Sequence, residues 1–261
     1  MKSGEPVELL CGPRPVLEAL RAGRRRVRRI FLARQGAAEP VAALLALARA
    51  QGVPVEALPR EGLDRRAGGG GHHGVLAEVG AFPYAEAETL LEAAAGDRDA
   101  FLVVLDGIQD PQNLGAILRT AEAAGVQAVA LPRDRAAAVT AAAARASAGA
   151  AEHLRVARVT NLATFLAALK ERGVWVVGAD PDGERDLYRA DLTGPLAVVI
   201  GSEGRGLRPL TKSRCDFLVR IPLGGRVASL NAAAAAAVCL FEAVRQRRAK
   251  LQVSVDRLTR Q

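Results

Sequence analysis

Five polar side chains of this 261-residue chain stand where their types and spacing could do chemistry: Asn113, Arg119, Glu203, Ser229 and Asn231. They fall in three strings, DPQNLGAILRTAEAAG (Asp110–Gly125), VVIGSEGRGL (Val198–Leu207) and IPLGGRVASLNAAAAAA (Ile221–Ala237). Each string puts polar or glycine-rich residues at the end of an apolar run. In the first, Pro111 ends a strand, and a helix is expected to start near Asn113 or Leu114. Asn113 can cap that helix and also present its amide to a ligand. Arg119 follows about a turn and a half later, and Gly115 would let another backbone come close. In the second, Gly201, Gly204 and Gly206 form a turn that can approach a nucleotide-like ligand, with the Glu203 carboxylate aimed out of the sheet. In the third, Pro222, Gly224 and Gly225 force a sharp departure from a strand. Ser229 and Asn231 then face a pocket or cap the last helix.

The same strings exclude other chemistries. The glycine spacing is neither the dinucleotide fingerprint GxGxxG nor a Walker loop, which would need GK[ST]. No phosphate-binding glycine loop follows an early strand, so a nicotinamide-dependent enzyme is disfavoured. Cys11, Cys215 and Cys239 are scattered, form no CxxC, and make no ligand cluster with His72, His73 or His153. Reduced, isolated thiols and no metal are expected.

The elements that must position these residues read as strands alternating with helices. Phe101–Gly107, Val126–Pro132, Leu154–Val159, Val174–Asp180, Pro195–Gly201 and Asp216–Leu223 are predicted strands. Asn113–Ala124, Arg135–Ala148 and Asn161–Gly173 are predicted helices, the last capped by Asn161. A further helix opens at Ser229 or Asn231 and runs to about Lys250. Continuous apolar strands of this kind make a parallel sheet covered on both faces. Ligands sit at the C-terminal strand ends of such sheets, where all three strings lie. The first eighty residues form a smaller α/β unit, with helices at Pro15–Gly23 and Pro40–Gln51 and strands at Val27–Ala33, Val53–Leu58 and Val75–Val79. The loop GGGGHHG (Gly68–Gly74) lies between the last two strands. Pro83, a short Glu/Ala-rich helix (Ala85–Ala95) and GDRD (Gly96–Asp99) mark a linker. The expected division is 1–80, linker 81–99, and 100–251.

Half the residues are hydrophobic, enough for a sizeable core. No apolar run reaches the roughly 20 residues of a membrane span, and MKSGEPVELL lacks a signal-peptide core, so a cytoplasmic protein is expected. The net charge is +8 and the pI about 10.2, which suits a polyanionic partner. The cluster RRRVRR (Arg24–Arg29) holds five cations in six positions, although such runs are commonly solvated faces.

Over about Ala100–Arg248 the strings N-x-G-x-x-x-R-T-A-x-x-x-G, I-G-x-E-G-x-G-L and I-P…S-L-N resemble, in order and spacing, the motifs of the SpoU–TrmH (SPOUT) family of RNA ribose 2′-O-methyltransferases. FEAVRQRR (Phe241–Arg248) ends the last helix much as in family members. GPRPVLEAL (Gly12–Leu20) and HHGVLAEV (His72–Val79) resemble the ribosomal-protein-like RNA-binding domain of the subgroup that modifies 23S rRNA, and RASAGAAEHLRVARVTNL (Arg145–Leu162), outside that domain, also resembles this subgroup. The chain departs from many members at Ala233, where a hydroxyl is common.

The resemblance implies a small N-terminal RNA-binding α/β domain and a C-terminal parallel-sheet domain tied in a deep trefoil knot. It implies S-adenosylmethionine held by backbone groups at Gly201, Ile221 and Leu230, and a homodimer. It implies methyl transfer to the 2′-hydroxyl of a guanosine in 23S rRNA. Arg119 would be the catalytic arginine. Asn113 and Asn231 would orient it and the ribose, with Glu203 and Ser229 at further active-site positions. An arginine stays protonated, so Arg119 suits gripping a phosphate and stabilising an alkoxide better than accepting a proton. Another RNA target (tRNA or an rRNA adenosine) and a non-catalytic RNA-binding protein of the same fold stay open.

Overall fold

A computed structural model describes residues 6–34, 41–69, 71–226 and 228–258, with side chains through 252. In chain order the elements are β1 (Val7–Cys11), α1 (Pro13–Ala22), β2 (Val27–Ala33), α2 (Val41–Ala50), β3 (Val55–Leu58), α3 (Arg60–Ala67), β4 (Val75–Gly80), α4 (Ala87–Ala94), β5 (Phe101–Asp106), α5 (Pro111–Ala123) and β6 (Ala128–Pro132). They continue with α6 (Ala141–Ala146), β7 (Arg155–Val159), α7 (Leu162–Glu171), β8 (Trp175–Ala179), β9 (Arg185–Asp186), β10 (Leu196–Gly201), α8 (Pro209–Arg214), β11 (Phe217–Arg220) and α9 (Ala232–Leu258). The chain forms two compact units, one of Met1–Pro83, Leu114–Arg119 and Ala138–His153, the other of Tyr84–Asn113, Thr120–Ala137 and Leu154–Gln261.

The first unit holds a four-stranded sheet in the order β1-β4-β2-β3, with only β2 and β3 parallel. Alternation along β2 builds its core. Ile30 joins Leu10, Val16, Leu20 and Leu44 on one face, and Phe31 joins Leu63 and Leu76 on the other. Gly23 ends α1 in the left-handed conformation that its glycine makes inexpensive (φ 60°). A Cβ at Gly115 would overlap the Ala143 carbonyl and Ala146, so the expected close backbone approach occurs there. Pro40 and Gly70, within the expected second helix and glycine loop, lie outside the described residues. Strand β1 and helix α3 are not among the elements expected from sequence.

The RRRVRR cluster is largely consumed inside this unit. Arg25 is buried and pairs bidentately with Glu152, its Nε 3.1 Å from Oε2, while Glu8 accepts from its Nη1 at 3.2 Å. Burial pushes the Glu152 carboxyl above its ordinary range against the pull of Arg25. Arg24 donates to the carbonyls of Pro83 and Glu152, and Arg29 to Glu56.

The second unit is a seven-stranded, wholly parallel sheet in the order β7-β6-β5-β10-β8-β11-β9. Its central strands β5 and β10 are buried along their whole length, as a parallel sheet covered on both faces requires. Register aligns the strand ends. Asp106 pairs with Gly201, Ile200 with Ala179, and Ala179 with Val219. The C-terminal ends of β5, β10, β8 and β11 are therefore level.

Three local expectations are corrected. The expected helix Arg135–Ala148 is only Ala141–Ala146, capped by Thr140. Upstream, Ala137 N bonds the Ile108 carbonyl at 2.8 Å and Arg135 takes a positive φ of 57°. These contacts hold the alanine-rich segment out of a helix despite its propensity. Helix α5 opens at Pro111 rather than near Asn113, because Asp110 accepts from Gln112 N at 2.9 Å and caps it. The last helix runs to Leu258, beyond the expected Lys250. Asn161 does cap α7, accepting from Thr164 N at 3.1 Å.

Candidate active site

The level strand ends carry buried acids. Asp106 ends β5, and Asp180 directly follows β8. Arg208 donates to Asp106 twice, from its backbone N at 2.8 Å and from Nε at 2.6 Å. Lys212 Nζ lies 2.7 Å from Asp180 Oδ2. Both cations come from one short stretch, so these ion pairs pin the segment around α8 beneath the strand ends. Sequence reasoning missed all four residues. The available signal was an acid immediately after an apolar strand, in VVLD and VVGAD.

After β10 the chain makes a tight turn. Ser202 N donates to the Gly206 carbonyl at 3.1 Å, and Gly206 N returns a bond to the Ser202 carbonyl at 3.0 Å. Gly204 and Gly206 have φ of 79° and 63°, conformations that side chains disfavour. A Cβ on Gly201 would overlap the Gly206 backbone. The turn lifts Glu203 to the surface at the rim of a pocket of about 140 Å³ that opens to solvent. Gly201, Ile221, Leu230, Ser229 and Asp180 also line it. The described residues 221–226 and 228–231 belong to no strand or helix, so their peptide groups stand outside any ladder.

Three of the expected residues are joined directly. Asn113 Nδ2 donates to Glu203 Oε1, and Asn231 Nδ2 donates to Asn113 Oδ1 at 2.9 Å. Asn231 Oδ1 then accepts from Ala233 N at 2.9 Å and Ala234 N at 3.3 Å, capping α9. Of the two expected openers of that helix, Asn231 is the cap. Ser229 lines the pocket and has no hydrogen-bond partner among the described residues. Arg119 is exposed on α5, six residues beyond Asn113, and bonds to no described residue. Among the described residues no group of three metal-ligating side chains occurs.

A family model described as "SpoU rRNA Methylase family" matches residues 100–241. The chain belongs to the SpoU rRNA methylase family. A second model, "RNA 2′-O ribose methyltransferase substrate binding", matches residues 9–85. The chain is 44% identical over 248 residues to the 23S rRNA (guanosine-2′-O-)-methyltransferase RlmB of Pseudomonas putida, covering 94% of this chain and 98% of that one. It is 46% identical over 196 residues to RlmB of Photobacterium profundum, covering 75% and 80%. Among solved structures, the SpoU methyltransferase AviRb from Streptomyces viridochromogenes in complex with AdoMet superposes with a TM-score of 0.78 at 29% identity, covering 93% of this chain and 91% of that one. The chain is thus an RNA methyltransferase.

Proposed function

We propose that this enzyme transfers a methyl group from S-adenosylmethionine to the ribose 2′-hydroxyl of a guanosine in 23S rRNA. The observation that carries the reading is the bonded series Glu203–Asn113–Asn231 beside the pocket of Gly201, Ile221 and Leu230. It occurs in a chain 44% identical to an RlmB along nearly its whole length. The pocket fits the methyl donor. Gly201 admits no side chain at the pocket wall, and the peptide groups of Ile221 and Leu230 lie outside the strands and helices beside apolar surface. When bound, S-adenosylmethionine supplies a methyl group made electrophilic by its sulfonium.

The protein's own task is to manage the ribose oxygen, which must lose its proton as it attacks. Each amide nitrogen of Asn113 and Asn231 uses one N–H in the bonded series and has a second for a ribose oxygen. Glu203 holds Asn113 in orientation. Arg119, protonated and not tied up by the fold, grips the adjacent phosphate and stabilises the developing alkoxide. Ser229 offers a hydroxyl at the pocket wall.

The same reading assigns 1–80 to RNA substrate binding, 81–99 to a linker and 100–251 to catalysis, in keeping with the two matching models. It includes a threaded, knotted C-terminal segment, supported by β10 lying between β5 and β8 with α9 packed against it. It includes a homodimer, supported by the exposed Leu223, Leu230 and Phe241, and a cytoplasmic location. No helix among the described residues is long and apolar enough to cross a membrane.

The test is labelled methyl transfer to rRNA and tRNA from a strain lacking the gene, followed by mapping of the modified nucleotide. A 2′-O-methylguanosine in 23S rRNA is expected. Label on tRNA or on an adenosine, or no transfer at all, overturns the assignment.

A further inference from the structure

The parallel sheet has a second pocket at its opposite, N-terminal edge. It is a solvent-open cavity of about 290 Å³ between the starts of β8, β10 and β11 and the last helix. Its walls include Trp175, Arg185, Phe217, Asp191, Thr193 and Lys250. Trp175 is the only tryptophan in the chain, and 56% of it is exposed. A tryptophan that opens a buried strand yet keeps most of its surface in water adds little to the core. Its ring leans on Phe217 at 6.3 Å between centroids and 53° between planes. The Arg185 guanidinium lies over Phe217, 4.2 Å from the ring centroid. Phe217 thereby holds an indole and a planar cation at the rim of one cavity. Lys250 lines the same pocket, its Nζ 3.2 Å from Thr193 Oγ1. Among the described residues of the wall Asp191 is the one acid; its Oδ1 accepts from the Thr193 hydroxyl at 2.7 Å and from Thr193 N at 3.0 Å, and its charge attracts Lys250.

We infer that this pocket binds an unpaired nucleotide of the RNA substrate, its base stacked on Trp175 and its phosphate gripped by Arg185 and Lys250. An exposed aromatic beside cations is the chemistry single-stranded nucleic acid uses, because every base has a stacking face and every linkage a charge. The cavity is ample for one base. Strand β8 begins at Trp175 and ends one residue before Asp180 of the catalytic pocket, so the two pockets are separated by roughly 17 Å along the strand. A substrate loop engaging the catalytic pocket would be held at a second point by this one. The inference rests on the enzyme acting on RNA, but its test needs no methyl transfer.

Because Trp175 is the sole tryptophan, its fluorescence in the full-length protein reports this pocket directly. The expected result is quenching by a short single-stranded RNA oligonucleotide and little change with a duplex of the same composition. Trp175→Ala should weaken binding of dye-labelled single-stranded RNA on the order of 5- to 150-fold. Trp175→Phe, which keeps a stacking ring, should recover most of it. Lys250→Ala should lower the steepness of salt dependence by roughly 0.7. Circular dichroism checks that each variant folds. Unchanged fluorescence while labelled RNA binds would overturn the inference. So would equal affinity of the alanine variant, or a change in its sedimentation without a change in RNA affinity, which would mark a protein contact. Absence of methyl transfer in the wild-type enzyme would count against the proposed reaction and leave the fluorescence result intact.

Discussion

Asn231 and Asn113, 118 residues apart, share a hydrogen bond of 2.9 Å whose direction is dictated from both ends. The Glu203 carboxylate can only accept, so Asn113 must turn its NH2 toward it and its oxygen toward Asn231. The first peptide N–H groups of α9 can only donate, so Asn231 must turn its oxygen to them and its NH2 toward Asn113. A helix N-terminus and a carboxylate thus lock two amides between them with no alternative orientation.

Replacing Asn231 with Asp separates its two jobs. An aspartate still caps α9 and sits well at a helix N-terminus, so stability should stay within about 0.5 kcal/mol. It cannot donate to Asn113, and flipping Asn113 would set its oxygen against Glu203. Methyl transfer should fall on the order of 100-fold. Asn231→Ala should show the same loss of activity and lose about 1 kcal/mol of stability as well. Thermal melts beside single-turnover methyl transfer read the two effects. Matched activity of wild type and the aspartate variant would show that the amide pair is idle.

For Glu203 the informative comparison is Ala against Gln. A glutamine keeps an acceptor for Asn113 and removes the charge. If the carboxylate serves to orient Asn113, Glu203→Gln should retain activity within about 3-fold, while Glu203→Ala should lose roughly 10- to 100-fold. Equal inactivity of both variants would instead give the charge a part in handling the ribose proton.

How much of this was legible in the chain depends on how far apart the cooperating residues lie. The strands of the parallel sheet read directly, because burial on both faces demands unbroken apolar runs such as FLVVLD and LAVVIG. The three strings pointed to Asn113, Glu203 and Asn231 because glycine, proline and capping residues punctuate strand ends. What joins them is register, the pairing of Asp106 with Gly201 and of Ile200 with Ala179, and no local pattern encodes that. The burial of Arg25 against Glu152 spans 127 residues, so a run that reads as a solvated basic face turns out to supply an interior charge. Alanine propensity likewise misjudged residues 135–140, where a single bond from Ala137 to the Ile108 carbonyl favours an extended path. The threaded topology proposed for the C-terminal segment would leave no trace in periodicity, since strand and helix patterns are blind to chain crossings.

Arg119 is exposed and makes no bond to a described residue. Its removal should therefore cost little stability. Arg119→Ala should abolish methyl transfer, a loss of at least about 100-fold, while calorimetry still registers S-adenosylmethionine. Arg119→Lys keeps the charge but loses the planar fork that holds a phosphate by two bonds, and should recover less than about a tenth of the activity. Full activity of the alanine variant would remove Arg119 from the mechanism.

Glu152 and Arg25 make the sharpest stability prediction. Both are buried, with 1% and 7% of their surface exposed. Arg25→Met removes the cation and leaves the Glu152 carboxylate buried without the guanidinium it is bonded to. Breaking that side of the pair should destabilise the protein by about 3 kcal/mol, read from urea unfolding at pH 7. Replacing both residues with apolar ones of similar size should restore much of that loss, because the desolvation of two charges is then avoided. The pair also has a pH signature. Burial raises the Glu152 carboxyl above its ordinary 4.5, so the native protein takes up this proton before the unfolded chain does. The resulting increment of stability is full below 4.5 and is lost as pH rises through the raised value. The wild-type protein should carry that slope above pH 4.5, and Glu152→Gln should lack it. An identical pH profile in the two proteins would mean that Glu152 ionises alike in the folded and unfolded states and would overturn this reading of the pair.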